Sequence, residues 1–242
     1  MSEVRRTASA SVLPVAAVAL VALFVTALVT AQLTASKILL FSLPVSLPVV
    51  GPALALPGAA LAYAVTFFAS DCYSELYGRR AAQTMVNVGF VMNLVLLVLV
   101  WGTIAAPAAD SGFADQFAAV LGASTNIVVG SLLAYLVSQN WDVLVFHRIR
   151  EATDGEMLWL RNVGSTATSQ LLDTVIFVTV AFAVAPAVLG VGSVTGGSEL
   201  LALVVGQYLL KLLIAVVDTP FVYLVVRAAR DRGVAPRVTP SD

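Results

Sequence analysis

Several residues with usable chemistry recur at helical spacing inside strongly apolar sequence. Asp71 and Glu75 lie four apart in FFASDCYSELYGRR, Gln139 and Asp142 three apart in QNWD, and Gln170 and Asp173 three apart in QLLD. Gln207, Lys211 and Asp218 follow at intervals of four and seven. Each interval puts its members on one helix face. A carboxylate accepts two neighbouring N–H donors, while a carboxamide or an ammonium donates to a carbonyl. Such a set suits the edge of a flat, guanine-like heterocycle. Phe67, Phe68, Tyr73, Trp141 and Phe177 are near enough in sequence to offer ring faces to it.

The elements that carry these groups are set by composition. Of the 242 residues, 60% are hydrophobic and 11% charged, with a mean hydropathy of +0.96. Soluble domains carry about 25% charged residues, so a soluble enzyme or a nucleic-acid partner is not expected. One cysteine (Cys72) and one histidine (His147) exclude a disulfide framework and a Cys/His metal cluster. No HExxH, GxSxG or phosphate-loop motif occurs. A non-enzymatic protein without metal or cofactor is therefore expected.

A helix needs about 20 apolar residues to cross a bilayer. Six segments are long enough: approximately 12–34, 54–76, 84–105, 124–147, 162–187 and 200–226. The first, uncharged from Val12 to Leu33, exceeds a signal-peptide core and is read as a retained span. Between spans one and two, prolines 44, 48, 52 and 57 argue against a regular helix and leave a hairpin-like cap or a re-entrant segment. Residues 107–123 read as a polar, then amphipathic connection, and 190–199 as a flexible one. Eleven of the thirteen basic residues fall on one side when both termini are cytoplasmic: Arg5, Arg6, Arg79, Arg80, Arg148, Arg150, Arg161, Arg227, Arg230, Arg232 and Arg237. The expectation is an all-α integral membrane protein with six transmembrane helices and both termini cytoplasmic. Its tails are 1–11 and 228–242, around one domain at 12–227.

At a 1.5 Å rise per residue, the distance to the nearest arginine gives a depth. Asp71 lies about 12 Å in, Asp142 about 9 Å, Asp173 about 18 Å, Asp218 about 13 Å and Lys211 about 24 Å. A charge facing lipid at such depth costs about 2.5–3.5 kcal/mol, so these groups must face the bundle interior. There they line a polar cavity or form purely structural ion pairs. Glu75 with Asp71 alternatively makes an interfacial cluster with Arg79 and Arg80, and Asp142 alternatively pairs with Arg148 or Arg150.

FFASDCYSELYGRR, YLVSQNWDVLVFHRIR, LRNVGSTATSQLLDTVIF and GQYLLKLLIAVVDTPFVYLVV together resemble the queuosine precursor transporter family, also called the vitamin uptake transporter family. The resemblance runs from about Leu33 to Arg227. It implies six transmembrane helices and import of 7-deazaguanine bases such as 7-cyano-7-deazaguanine (preQ0), which feed tRNA modification. The matching motifs contain Asp71, Glu75, Tyr77 and Gly78; Gln139, Asp142, Phe146 and Arg148; Ser169, Asp173 and Thr174; and Lys211. Depth then suggests roles. Asp142 and Asp173 bind the base, Gln139 and Gln170 orient it, and Lys211 balances the carboxylates. Asp71 lines the inner end of the route or takes part in proton coupling, and Glu75 and Asp218 serve coupling or gating. The partners expected are the base, the bilayer and either a second copy of the chain or, if the chain is the substrate-binding component of an energy-coupling-factor importer, a separate ATPase module. A membrane enzyme or assembly protein with a structural polar belt is the third reading.

Overall fold

The computed structural model describes residues 14–47, 51–154 and 157–231. Most of tail 1–11 and 228–242, with Arg5, Arg6, Arg232 and Arg237, lies outside the described residues, as does Pro48. Helix α1 (Val15–Thr34) leads into a hairpin of β1 (Ile38–Leu47) and β2 (Gly51–Pro57). Helices α2 (Ala60–Tyr77), α3 (Arg79–Ala105), α4 (Ser111–Gly122), α5 (Ser124–Ala152) and α6 (Leu158–Thr179) follow. A π-helical turn (Val180–Val184) joins α6 to α7 (Ala185–Leu189), and α8 (Gly197–Asp231) ends the described chain.

Among the described residues, five helical segments are long and apolar enough to cross a membrane: Val15–Thr34, Arg79–Ala105, Ser111–Ala152, Val163–Leu189 and Gly197–Asp231. The protein is thus a predominantly helical membrane protein. The remaining expected span, α2, has 18 residues, Asp71 and Glu75 among them, and is not one of the five. It is nevertheless enclosed, packing against α1, α3 and α8.

The prolines decide the segment after α1. The chain pairs as an antiparallel hairpin, Ile38 opposite Pro57 and Ser42 opposite Ala53, with an irregular register between Ser42 and Leu47. Pro44 falls within that irregular stretch and Pro57 at a strand end, where a missing N–H costs the ladder least. The hairpin closes when Gly58 N donates to Lys37 O at 2.6 Å. Residues 54–57, expected to begin the second span, belong to β2.

Other boundaries have local causes. Gly78, at φ +89°, adopts a backbone conformation open to few other residues and separates α2 from α3. Asp110 caps α4, its Oδ1 accepting from the N–H groups of Gly112 (2.9 Å) and Phe113 (3.3 Å), so the 107–123 connection is largely helical. Pro186 has no N–H for the carbonyl of Phe182, four residues back. The helix widens into the π-turn, and Thr195 N donates to Phe182 O instead at 2.8 Å. That contact orders the loop before α8, which starts at Gly197, inside the segment expected to be flexible.

Small residues allow close packing. Ala31, Ala35, Ala55, Ala59, Ala134 and Ala181 form much of the core beneath the hairpin, with Ile127, Phe177, Val178, Phe182 and Leu203. A side chain at Gly206 would collide with the carbonyl oxygen of Ala55, so α8 seats directly under β2 because this position lacks one. At the opposite, arginine-bearing end, Leu20, Cys72, Leu76, Val222 and Val226 make a second core. The Cys72 thiol is completely buried there.

Candidate binding cavity

Helices α5 and α6 run antiparallel in extensive contact. Ser138 Oγ donates to Asp173 Oδ1 at 3.2 Å, and Ser169 Oγ donates to Asp142 Oδ1 at 3.1 Å. The two bonds are reciprocal because SQNWD on α5 and SQLLD on α6 carry the same Ser–Gln–x–x–Asp order in opposite directions. This local two-fold relation fixes the register of the two helices.

The two aspartates nevertheless differ. Asp173 also accepts from Lys211 Nζ on α8, 2.7 Å from its Oδ2. Lys211 is buried, and its ammonium lies 6.0 Å from the centroid of the Tyr63 ring on α2. Both residues line a cavity of about 190 Å³ together with Gln139 and Gln170. That space exceeds the roughly 150 Å³ that admits benzene to a protein core. Asp142 lies outside this lining, tied to Ser169.

The walls are aromatic. Phe67, Phe90, Tyr135 and Phe177 face the cavity, as do Phe24 and Tyr63. Phe67 and Phe177 were among the expected ring faces. Phe68 and Tyr73 instead pack into the cores at the arginine end and against α1. Trp141 is turned outward, donating through Nε1 to Thr168 Oγ1 at 3.2 Å. Tyr135 is held in place by α3: Gln83 Nε2 donates to its hydroxyl, which donates to Asn87 Oδ1 at 2.9 Å.

A second cavity, of about 490 Å³, lies between α2, α6 and α8 toward the arginine end. Phe67, Gln170 and Lys211 line both cavities and form the wall between them. Asp71 and Asp218 line the second, so the structure brings these two carboxylates together across the α2–α8 contact. Glu75 lies further toward the arginine end. Arg230 Nη2 donates to its backbone oxygen at 2.9 Å and stands 3.9 Å from Oε2. Its cationic neighbour is therefore on α8, rather than Arg79 or Arg80 beside it in sequence.

An ion pair and carboxamides thus line a cavity set among apolar helices. A family model described as putative vitamin uptake transporter matches residues 57–225, covering every element from the end of β2 to the last turns of α8. This chain belongs to that family. A probable queuosine precursor transporter from Bacillus subtilis (strain 168) is 35% identical over 163 residues, 66% of this chain and 67% of that protein. No solved structure matches the chain. Membership of the vitamin uptake transporter family makes the protein a membrane transporter, and its cavity the natural place to look for a solute.

Sequence reasoning missed Gln32, Tyr63, Tyr135 and Ser138, all of which line the first cavity. Attention to charge alone passes over Gln32, although it is a carboxamide within the first apolar span. The two tyrosines carry no local signal, since aromatic residues in membrane helices more often serve packing.

Proposed function

We propose that this chain imports a queuosine precursor of the 7-deazaguanine class across the cell membrane as a secondary or facilitated carrier. In this reading six helices cross the bilayer, α2 included, and both termini are cytoplasmic. Among the described residues, Arg79, Arg80, Arg148, Arg150, Arg227 and Arg230 occupy one end of the bundle, which supports assigning that end to the cytoplasm. The hairpin then lies on the outer side.

The observation that carries the reading is the Lys211–Asp173 pair inside a cavity that also presents Gln139 and Gln170. A buried ion pair adds little net stability, so cohesion alone does not account for one that also lines a cavity. Asp173 accepts N–H donors of the base when Lys211 shifts toward its carbonyl. Gln139 and Gln170 fix its orientation, and Phe67 and Phe177 cover its faces. Asp71 and Asp218 line the inward half of the route, where a proton or the departing base passes. Glu75 and Arg230 stand at its cytoplasmic mouth. The name of the Bacillus relative supports a queuosine precursor as the solute.

The test is uptake of labelled 7-cyano-7-deazaguanine by a host lacking its own importer and expressing this chain alone, beside Asp173→Asn at equal membrane abundance. Uptake lost on substitution is the expected result. A well-folded wild-type chain that takes up none would overturn the proposal.

A further inference from the structure

The polar side chains of α1 divide into two kinds. Thr30 and Thr34 donate back to the carbonyls of Thr26 and Thr30, each at 2.8 Å, and so satisfy themselves within the helix. Gln32 does not. It is only 2% exposed, lines the first cavity, and its carbonyl oxygen is buried with no hydrogen-bond partner among the described residues. A carboxamide oxygen left unpaired in a protein interior is unfavourable. A methionine of similar volume would fill the same space without that penalty. The amide is explained if a bound solute completes it.

Its position says which part of the solute it meets. Helix α1 packs on α2, α3 and α5, whereas α6, which carries Asp173, packs on α5 and α8. Gln32 and Asp173 thus enter the cavity from different walls. They also differ in what they complement: a carboxylate matches two adjacent donors, a carboxamide matches a donor beside an acceptor. A free 7-deazaguanine base offers both. Its N1–H lies beside the exocyclic amine on one edge, and its N9–H lies beside N3 on another.

We propose that Gln32 is a substrate-reading residue whose carboxamide pairs with the N9–H/N3 edge of the bound base while Asp173 holds the N1–H/amine edge. The carbonyl of Gln32 accepts from N9–H and its NH2 donates to N3. N9 is the atom that bears the sugar in a nucleoside, so this contact selects the free base and rejects the nucleoside. The assignment rests on the transport reading above and adds a specificity determinant to it.

The test competes uptake of labelled 7-cyano-7-deazaguanine with unlabelled 7-deazaguanine and with its N9-methyl derivative, in the full chain and in Gln32→Met. In the wild-type chain the N9-methyl compound is expected to compete at least about tenfold more weakly, the effect of one buried polar group left unpaired. In Gln32→Met the parent base falls to the level of its methyl derivative, so the preference collapses. If Gln32→Met does not reach the membrane, Gln32→Ala carries the same comparison. Wild-type uptake without N9 discrimination, or discrimination that survives the substitution, would overturn the assignment alone. No uptake of the base by the wild-type chain would overturn the transport reading and this assignment with it.

Discussion

Lys211 Nζ and Asp173 Oδ2 are 2.7 Å apart, and the other oxygen of the same carboxylate accepts from Ser138. One side chain on α6 therefore ties together α5, α6 and α8. Lys211 is buried and the Asp173 side chain is 20% exposed, so much of their mutual attraction is offset by desolvation and the pair adds little net stability. Breaking it is another matter, because the survivor is left buried with an uncompensated charge.

Lys211→Met is accordingly expected to lower stability by about 3–5 kcal/mol, and Lys211→Met combined with Asp173→Leu to recover most of that loss. Thermal unfolding in detergent measures both. Uptake should be absent from the single and the double variant alike. A stable double variant that still transports would make the pair structural only.

The reciprocal serines separate register from recognition. Ser138→Ala and Ser169→Ala each remove one hydrogen bond to a carboxylate and should each cost about 1.5–3 kcal/mol. Only Ser138 orients the aspartate that lines the cavity. Ser138→Ala should therefore raise the KM for uptake by about tenfold or more, while Ser169→Ala leaves KM unchanged. Equal effects on KM would show that Asp142 and Asp173 contribute alike.

Much of this arrangement was legible in the sequence because charge in an apolar chain is costly and therefore confined. The depth of Asp173 and Lys211 put both in the interior, and they meet there. The spacing of Gln170 with Asp173 put both on one face, and both line the cavity. Periodicity could not tell Asp142 from Asp173, since both belong to a Ser–Gln–x–x–Asp run and only the approach of α8 distinguishes them. Nor could it give Glu75 its partner: Arg230 is 155 residues away in the chain and arrives through the α2–α8 packing. The prolines of 42–58 excluded a helix, but the choice of a hairpin over a re-entrant loop depends on α8 seating beneath β2 at Gly206.

That seat makes its own prediction. A bulky residue at Gly206 must push β2 away from α8, because the obstacle is backbone and cannot rotate aside. Gly206→Val should cost about 1–3 kcal/mol as overpacking and loosen the hairpin. Protease cleavage between β1 and β2 in detergent should become faster in the variant. An unchanged cleavage rate would mean that the hairpin is held without this contact.

The sixth span is the remaining point on which the topology turns. At 1.5 Å per residue, the 18 residues of α2 reach about 27 Å, just short of the roughly 30 Å hydrocarbon core. With Asp71 and Glu75 near its arginine end, the helix can cross only if those carboxylates turn toward α8, where Asp71 lines the second cavity and Glu75 lies beside Arg230. Val45, in the hairpin before α2, and Arg80, just after it, then lie on opposite faces of the membrane. Cysteine placed at either position reports this directly, because the native Cys72 is buried and silent. In intact cells an impermeant thiol reagent should label Val45→Cys and Asp115→Cys but not Arg80→Cys or Glu151→Cys. Labelling of the last two alone would reverse the orientation. Labelling of Val45→Cys and Arg80→Cys together would remove α2 from the spans and, with it, the cytoplasmic exit assigned to Asp71 and Asp218.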